Sequence, residues 1–416
     1  MPQLDLAVLG LGYVGMPLAH EASLSGLRVV GVDIDGDVVE GLMAGRSHIR
    51  DVSDEDLSRM LAGGFTATTA PDVIAAAATV VICVPTPLDE QRRPNISAVR
   101  AAARLVSAHL APGTLVVLES TTYPGTTEEV ILPILEQSGL TAGTDFFLAF
   151  SPERIDPGNP EFSLRNTPKI VGGLTPACGT AAESFYSRIV NKVVPVRGTR
   201  EAEMAKLLEN TYRYVNVGLI NEMLLLSDAL GLDFWEVVGA AATKPFGFQS
   251  FTPGPGVGGH CIPVDPIYLS HRLRDLGSNS EFIDIADRTN ERMPRYVAAR
   301  VMKLLPVPDD RPASVALLGV AYKEDVADAR ESPAVPLAEH LVAAGADVRF
   351  HDPYIEHLPV RGADLAPLRS LEEAFRFADL VVVLQRHSQY VNTNFSPARL
   401  VLDTRGFLHG DNVVRL

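Results

Sequence analysis

Residues 4–33 read LDLAVLGLGYVGMPLAHEASLSGLRVVGVD, and this stretch decides the fold. It predicts a strand (Leu4–Leu9), a glycine turn of the form GxGxxG (Gly10, Gly12 and Gly15), a helix (Met16–Ser25) and a second strand (Arg28–Val32) that ends in Asp33. In such a unit the first glycine makes the turn, the second admits a pyrophosphate and the third lets the helix pack on the strand, while the acid binds ribose hydroxyls. The stretch therefore predicts a Rossmann-like domain that binds a dinucleotide.

The acid at the end of the second strand distinguishes between the two nicotinamide cofactors. Asp33 would repel a 2′-phosphate, and Asp35 adds a second negative charge close by. The expected cofactor is therefore NAD, in a site formed by Gly10, Gly12, Tyr13, Val14, Gly15 and Asp33. A glycine turn in some other α/β fold is the alternative interpretation.

Composition narrows the class of protein and of partner. The chain has 416 residues with 46% hydrophobic content, enough for two or three domains with full cores. A net charge of −15 disfavours nucleic acid as a partner, although an anionic metabolite can still bind at helix N-termini. The three cysteines have no paired spacing, which argues against disulfides and against a metal site. No targeting segment or membrane span is predicted, and a cytoplasmic location is expected.

Further buried strands continue the doubly wound pattern. They are predicted at Ala78–Val84, Thr114–Leu118 and Phe146–Phe150. Ligands in such folds lie beyond the carboxyl ends of the strands, where the sequence has Thr86, Thr121 and Glu153. Threonines at strand ends are also ordinary turn and cap residues, and a single carboxylate can be a surface charge, so the structural interpretation stays open for these residues.

A long helix is predicted from Glu201 to Leu230, with apolar residues at near-helical spacing over most of its circumference. Lys206 and Asn210 are four residues apart and therefore share a face of this helix. A helical lysine is usually a solvated charge, but on so apolar a helix the pair is more suggestive. Such a helix could join two domains and pack against a second copy, which predicts a homodimer or a larger assembly built on one.

The loop TPGPGVGGHCIPVD, residues 252–265, has the composition of an active-site loop. Its prolines fix φ and its glycines allow a ligand to approach the main chain closely, while Cys261 lies four residues before Asp265. Cys261 could be a nucleophile; the alternative is a small buried residue in a turn-rich connector.

The C-terminal part repeats the pattern of the N-terminus. Ser314–Gly319, Asp347–His351 followed by Asp352, and Ala378–Leu384 parallel Leu4–Gly10, the strand before Asp33, and Ala78–Val84. The repeat lacks GxGxxG, which disfavours a second dinucleotide and suggests a mononucleotide or a sugar nucleotide, with Lys323 and Arg330 available for phosphate. The expected architecture is two Rossmann-like doubly wound α/β domains (residues 1–198 and 309–416) joined by a central helical domain (residues 199–308).

Seven ordered motifs resemble one family over nearly the whole chain, the UDP-glucose/GDP-mannose dehydrogenases, or nucleotide-sugar 6-dehydrogenases. The motifs are GLGYVGMPLA, ICVPTP, ESTTYPGTT, SPERIDPG, MAKLLENTYRYVNVGLINE, GPGVGGHCIPVDP and GVAYKEDVADARESPA. The resemblance implies an NAD-dependent, four-electron oxidation of the C6 alcohol of a nucleotide sugar to a carboxylate. Cys261 would be the nucleophile that forms a thiohemiacetal and then a thioester.

The resemblance also implies roles for other residues. Lys206 and Asn210 would stabilise an oxyanion at C6, with Lys206 an alternative base, and Asp265, Glu153 and Thr121 would position or activate the lysine or the hydrolytic water. Cofactor binding would extend to Thr86, Thr121, Lys323 and Arg330. Substrate would contact Glu153, Arg154, Lys206, Asn210, Phe251, Gly254, Gly258 and Lys323.

The motifs resemble the branch of the family that acts on N-acetylated hexosamines, and UDP-N-acetylglucosamine is the expected substrate. His260 stands where the UDP-glucose branch more often has serine, and residues 249–252 lack the arginine common in that branch. UDP-glucose or dTDP-glucose is the alternative. Remote alternatives are a two-electron β-hydroxyacid dehydrogenase, which needs neither Cys261 nor a third domain, and a sugar-nucleotide sensor without catalysis.

Overall fold

The structure is a computed structural model that describes residues 4–49, 51–156, 159, 161–306, 308 and 310–416. The chain forms two compact units: unit 1 comprises Met1–Glu209 and Ile267–Gly277, and unit 2 comprises Asn210–Pro266 and Ser278–Leu416. Val307 and Asp309, at the predicted boundary before the third domain, lie outside the described residues, as do Pro157 and Gly158 of the SPERIDPG motif.

Unit 1 is built on an eight-stranded sheet. Its strands are β1 (Leu4–Leu9), β2 (Val29–Val32), β3 (Thr66–Thr68), β4 (Ala77–Ile82), β5 (Leu115–Leu118), β6 (Phe147–Phe150), β7 (Lys169–Gly173) and β8 (Val193–Val196). The spatial order is β3-β2-β1-β4-β5-β6-β7-β8, and only the β6–β7 pair among these is antiparallel. The first six strands have the order of a doubly wound dinucleotide-binding sheet, as the glycine turn predicts.

Helices cover both faces of this sheet, so its central strands are buried and read as continuous apolar runs. The helices are α1 (Gly15–Leu24), α2 (Gly36–Met43), α3 (Asp54–Ala62), α4 (Ser97–His109), α5 (Leu132–Leu135), α6 (Pro176–Tyr186) and α7 (Thr199–Leu230). Shorter segments are 3₁₀-helical at Pro71–Ala76 and Glu136–Ser138 and π-helical at Thr127–Ile131. The 32-residue helix α7 begins in unit 1 and continues into unit 2, close to its predicted bounds.

Unit 2 contains a five-stranded parallel sheet of order β10-β9-β13-β14-β15 and a two-stranded antiparallel pair, β11-β12. Its strands are β9 (Ser314–Leu318), β10 (Asp347–His351), β11 (Pro359–Val360), β12 (Ala363–Asp364), β13 (Leu380–Val383), β14 (Val401–Asp403) and β15 (Val413–Arg415). The remaining helices are α8 (Phe234–Ala242), α9 (Asp265–Asp275), α10 (Glu281–Leu304), α11 (Ala334–Ala343), α12 (Leu371–Phe377) and α13 (Ser388–Val391).

The position of β9 confirms the predicted repeat of the N-terminal pattern. Strand β9 lies between β10 and β13 just as β1 lies between β2 and β4. One core cluster of unit 2 joins the sheet to the helices before it, since Leu224 of α7, Met293 of α10 and Leu337 of α11 pack with Leu317 of β9. No helix in the described ranges is long and apolar enough to cross a membrane.

The backbone of β7 lies against α6 at two glycines. A Cβ atom on Gly173 would lie 2.1 Å from the N atom of Gly179 and 2.5 Å from its Cα. At Gly179 an added Cβ would meet its nearest neighbour, the N atom of Gly173, at 3.8 Å, which is an ordinary contact. Strand β7 therefore requires glycine at 173, whereas α6 has room for a methyl group at 179.

This difference predicts opposite tolerances at the two positions. Gly173→Ala should lower the free energy of unfolding by about 2–3 kcal/mol, because backbone atoms must shift to admit the methyl group. Gly179→Ala should leave it within about 1 kcal/mol, since alanine is the better helix former. Urea titration followed by circular dichroism measures both, and equal destabilisation by the two variants would contradict the packing described.

Candidate functional site

The three glycines of the first turn occupy three different environments. Gly10 has φ +90°, and a Cβ on it would lie 2.8 Å from the Cys83 carbonyl oxygen. A Cβ on Gly15 would lie 1.9 Å from the Gly10 carbonyl oxygen, so the start of α1 can pack on β1 only as glycine. Around Gly12, apart from its two chain neighbours, no atom of the described residues lies within 4 Å of an added Cβ. The turn thus leaves open space at the glycine where a dinucleotide's pyrophosphate would approach the backbone and the N-terminus of α1.

Asp33 lies at the end of β2 and is hydrogen-bonded to the glycine turn. Its Oδ2 accepts from the Leu11 N–H at 2.8 Å, and its Oδ1 accepts from the Asp35 N–H at 3.0 Å. These bonds hold the carboxylate beside the glycine turn, as binding of ribose hydroxyls requires. Tyr13 and Val14 are half-buried and pack against the core cluster of unit 1, so they form a wall of the turn.

Thr86 and Thr121 follow β4 and β5 and are both half-buried. Helix α7 holds the segment after Thr121 through a carboxylate that sequence reasoning missed: Glu203 accepts from the N–H groups of Gly125 at 2.6 Å and Thr127 at 2.9 Å. Burial raises the pKa of Glu203 to about 7, although these N–H groups favour its anion. The 3.6-residue spacing of apolar residues in α7 does not indicate that the Glu203 side chain is buried.

Glu153 lies in the loop after β6, and both of its carboxylate oxygens have partners. Oε1 accepts from the N–H groups of Arg154 and Ile155, each at 2.6 Å, and Oε2 accepts from Lys169 Nζ at 3.1 Å. Lys206, buried on α7, donates from Nζ to the Glu153 carbonyl oxygen. The structure thus brings together two of the predicted catalytic residues, Glu153 and Lys206, within unit 1.

A buried ionic cluster lies behind Glu153, and the motifs gave no indication of it. Lys169 of β7 is only 3% exposed and lies 3.1 Å from Glu119 Oε1 as well as from Glu153 Oε2. Tyr186 of α6 donates its hydroxyl to Glu119 Oε1. The only sequence signals were a lysine at the start of a buried strand and a glutamate at the end of another.

The pKa values of the two carboxyls in this cluster are shifted in opposite directions. Burial disfavours the Glu153 anion, but the positive charges of Lys169 and Lys206 and the backbone N–H donors outweigh burial and lower the pKa of Glu153. Burial raises the pKa of Glu119, and the Lys169 ammonium offsets only part of this effect. Burial also disfavours the Lys169 cation, but Glu119 and Glu153 together raise the pKa of that lysine.

Arg154 interacts within unit 1 in a way that anchors its loop. Its guanidinium donates to Glu209 of α7 at 3.1 Å and to the Pro168 carbonyl oxygen at 2.7 Å. The predicted contact of Arg154 with substrate is therefore accompanied by a structural role, which is to join the loop after β6 to α7.

The remaining predicted residues lie in unit 2, and Cys261 stands at the entry to a helix. The Cys261 carbonyl oxygen accepts from the N–H groups of Val264 at 3.1 Å and Asp265 at 2.9 Å, which closes the turn before α9. Asn210 of α7 donates its side-chain amide to Asp265 Oδ2, so this predicted pair is also in contact.

The glycines before Cys261 are required because their loop packs tightly within unit 2. A Cβ on Gly258 would lie 2.8 Å from the Glu331 carbonyl oxygen and 2.9 Å from Tyr322 Cβ. Gly259, at φ +91°, would place a Cβ 2.8 Å from the Tyr322 ring. The Gly259 N–H donates to the Arg330 carbonyl oxygen at 3.2 Å. The cysteine loop is therefore fixed on the segment that follows β9.

Buried asparagines support the start of the same loop. The Gly254 N–H donates at 3.0 Å to Asn221 Oδ1, and Asn221 donates at 3.0 Å to Asn290 Oδ1 on α10. Both asparagines are buried. Phe251 packs on the core of unit 2 and meets the Tyr212 ring edge-on at 6.0 Å between centroids. The loop thus has a rigid base in unit 2.

Lys323 and Arg330 lie on the segment after β9. Lys323 is half-buried, and Arg330 is exposed, with its guanidinium donating to both carboxylate oxygens of Asp328 at 2.6–3.0 Å. Sequence reasoning missed Arg405, whose Nη1 would lie 3.0 Å from a Cβ on Gly254. Burial lowers the pKa of Arg405 to about 10, and its Nε donates to the Leu384 carbonyl oxygen at 2.5 Å.

The second sheet repeats the turn of the first, but the acid beside its turn is enclosed. Gly319 has φ +78°, and Asp352 accepts at 2.9 Å from the Ala321 N–H, as Asp33 does from Leu11. The Asp352 carboxylate is fully buried and lies 3.2 Å from His387 Nε2. An acid enclosed in this way is not available to ribose hydroxyls; that unit 2 binds no second dinucleotide stays a prediction.

Comparisons with known proteins agree with this geometry. The chain matches three domain models of the UDP-glucose/GDP-mannose dehydrogenase family: the NAD binding domain (residues 4–190), the central domain (residues 200–292) and the UDP binding domain (residues 316–410). It is 35% identical to the UDP-N-acetyl-D-mannosamine dehydrogenase of Pyrococcus horikoshii, covering 99% of this chain and 96% of the relative.

Two further similarities span most of the chain. The chain is 36% identical to the UDP-N-acetyl-D-glucosamine 6-dehydrogenase of Pseudomonas aeruginosa, covering 85% of this chain and 84% of the relative. The structure of a UDP-glucose dehydrogenase from Pyrobaculum islandicum superposes with a TM-score of 0.87 at 28% identity, covering 99% of this chain and 96% of that one. The chain therefore belongs to the UDP-glucose/GDP-mannose dehydrogenase family of NAD-dependent, nucleotide-sugar oxidoreductases.

Proposed function

We propose that this protein oxidises the C6 alcohol of UDP-N-acetylglucosamine to the carboxylate in two steps, using Cys261 as the nucleophile. The observation that carries the proposal is the position of Cys261, whose carbonyl oxygen accepts the first N–H of α9 in a loop held by Gly259 and Gly254. When bound, NAD accepts a hydride in each step. The balance is one alcohol, two NAD⁺ and one water giving one carboxylate, two NADH and three protons.

The thiolate has a defined place in this reaction. Once C6 has lost a hydride and a proton, the Cys261 sulfur adds to the aldehyde carbon and the carbonyl oxygen becomes the oxyanion of a thiohemiacetal. Loss of a second hydride leaves a thioester, and water then releases the acid and the thiolate. Because the aldehyde is held covalently, it neither escapes nor hydrates.

The polar residues supply charge stabilisation and proton transfer. Lys206 and Asn210, on one face of α7, stabilise the oxyanion, and Lys206 is also a candidate base. Asp265 orients Asn210 through their hydrogen bond. Glu153, held as an anion by its N–H donors and Lys169, accepts the proton of the hydrolytic water, and Thr121 positions that water.

The proposed binding residues divide between the two ligands. Gly10, Gly12, Tyr13, Val14, Gly15, Asp33, Thr86 and Thr121 hold NAD, with Lys323 and Arg330 as further cofactor contacts. Arg154, Phe251, Gly254, Gly258 and Lys323 join Glu153, Lys206 and Asn210 in holding the nucleotide sugar. The proposed division of the chain is an NAD domain (residues 1–198), a central domain (residues 199–308) and a sugar-nucleotide domain (residues 309–416).

The acetamido sugar is preferred over glucose for two reasons. His260 precedes the cysteine, and residues 249–252 contain no arginine. The two relatives named above as acting on N-acetylated hexosamines support this choice, whereas the similar UDP-glucose dehydrogenase structure keeps UDP-glucose as the second candidate and dTDP-glucose beside it.

A homodimer through α7 is part of the proposal. Large apolar side chains that are exposed within the single chain lie along this helix: Leu208, Tyr212, Leu219, Leu226 and Leu230. Burying such residues against a second copy would remove them from water. A mass corresponding to a monomer in light scattering at micromolar concentration would contradict this arrangement.

Replacing the nucleophile should separate oxidation from binding. Cys261→Ser is expected to reduce acid formation by at least about a thousandfold, because a serine hydroxyl is scarcely ionised at neutral pH. NAD affinity, measured by calorimetry, should remain unchanged. The matched control is Cys178→Ser, at a buried cysteine of α6, which should keep its activity. Substantial acid production by the Cys261 variant would refute the covalent mechanism.

A substrate panel tests the choice of sugar. The value of kcat/KM for UDP-N-acetylglucosamine should exceed those for UDP-glucose and dTDP-glucose by at least about tenfold, which corresponds to about 1.4 kcal/mol of transition-state binding. UDP-N-acetylmannosamine and UDP-N-acetylgalactosamine belong in the same panel. If a glucose nucleotide has the highest kcat/KM, the assignment to N-acetylated hexosamines is wrong. If another acetamido sugar has the highest value, only the choice of epimer is wrong.

A further inference from the structure

We propose that Lys169 and Glu119 are positioning residues that keep Glu153 ionised: of the two carboxyls, Glu119 carries a proton and Glu153 does not. The inference rests on the proposed function, since it assigns Glu153 its charge state for the step that hydrolyses the thioester. It concerns unit 1 alone, where the three side chains lie on the strand β7 and at the carboxyl ends of β5 and β6.

The hydrogen bonds of the two carboxyls are unequal. Both oxygens of Glu153 accept bonds, from the Arg154 and Ile155 N–H groups and from Lys169, and a carboxylate oxygen needs its negative charge to hold such donors tightly. Glu119 Oε1 accepts from Tyr186 and contacts Lys169. Glu119 Oε2 is buried, and no hydrogen-bond partner for it exists in the described part of the chain.

Burial disfavours a second negative charge in this cluster. The Glu119 side chain is fully enclosed, and the Lys169 side chain is 3% exposed, so one ammonium serves two carboxyls in a region of low dielectric. A neutral Glu119 leaves one cation for one anion. The proton then lies on the carboxyl with the poorer set of donors, and the charge lies on Glu153.

The charged and titratable groups near the pair act on its two carboxyls unequally. In the described part of the chain they are Lys169 from β7, Tyr186 from α6, Cys83 after β4 and Lys206 from α7. Lys169 and Tyr186 also favour the Glu119 anion, but burial outweighs them there. Burial raises the pKa of both Tyr186 and Cys83 well above their usual values, so neither adds a negative charge near neutral pH. The Lys206 ammonium favours the Glu153 anion. The charges around the pair therefore favour ionisation of Glu153 and leave the proton on Glu119.

This arrangement has a chemical use in the hydrolytic step. Glu153 must be an anion to accept a proton from water, and a buried carboxyl in apolar surroundings would tend to be neutral. Lys169 removes that tendency without contributing an atom to the reaction. Glu119 in turn keeps Lys169 in place without competing for its charge.

The direct test locates the proton by neutron diffraction from deuterated crystals of the wild-type protein without ligands at neutral pH. A deuterium should lie on the Glu119 carboxyl, and the Glu153 carboxyl should carry none. A deuterium on Glu153 with none on Glu119, or a deuterium on neither carboxyl, would overturn the inference. This measurement is independent of whether the protein oxidises any sugar.

The kinetic test follows release of acid from the Cys261 adduct by rapid quench in a single turnover at varied pH. Lys169→Met should move the pH below which release fails upward by about one unit or more, a tenfold change in the ionisation constant. Lys169→Arg, which keeps the charge, should restore the profile. Glu119→Gln, which mimics the neutral acid, should leave the profile unchanged.

Two further variants keep the kinetic test decisive. Because Lys169→Met leaves two carboxyls buried without their cation, Glu119→Gln/Lys169→Met provides the same test with one carboxyl removed. Lys192→Met, at an exposed lysine in the same unit, is the control and should match the wild type. Unchanged pH profiles in both Lys169→Met and Glu119→Gln/Lys169→Met would overturn the inference. Failure of the wild type to oxidise any nucleotide sugar would instead refute the proposed function.

Discussion

One hydrogen bond, from a backbone N–H of a glycine turn to a carboxylate at the end of the neighbouring strand, recurs in both sheets and holds an acid beside each turn. In unit 1 it joins Leu11 to Asp33, and in unit 2 it joins Ala321 to Asp352. Asp33 remains half-buried beside the open space at Gly12, which suits a ribose and a pyrophosphate. Asp352 is enclosed with His387, so the same element of the fold is purely structural there. A single local difference thus assigns the dinucleotide to the first sheet.

The glycines show how close packing supports both the fold and the site. At Gly15 and Gly173 the backbone of a neighbouring residue occupies the place of a Cβ atom, so these positions determine how helices lie on the first sheet. At Gly258 and Gly259 the Tyr322 side chain leaves no room for a Cβ atom, and this fixes the loop that carries Cys261. The loop is glycine-rich because it lies flat on another segment, and this close packing holds the cysteine at the entry of α9.

Much of this could be predicted from the sequence because the signals are local. The glycine turn with Asp33, the alternation of strands and helices, and the spacing of Lys206 and Asn210 each depend on residues close together in the chain. The buried cluster of Lys169 and Glu119 could not be predicted, because fifty residues separate the two and only the sheet brings them together. Glu203 and Asn290 escaped notice for the same reason: their partners are distant in sequence, and helical periodicity shows only an interrupted apolar face.

The central claim is a four-electron oxidation, and counting hydride transfers tests it most directly. The enzyme is incubated with limiting UDP-N-acetylglucosamine and excess NAD until the reaction is complete. NADH is quantified by absorbance, and the product mass is measured by mass spectrometry. The account predicts two NADH per sugar nucleotide and a product that has lost two hydrogens and gained one oxygen. One NADH per sugar with an aldehyde product would contradict it, because a two-electron enzyme needs no covalent thioester at Cys261.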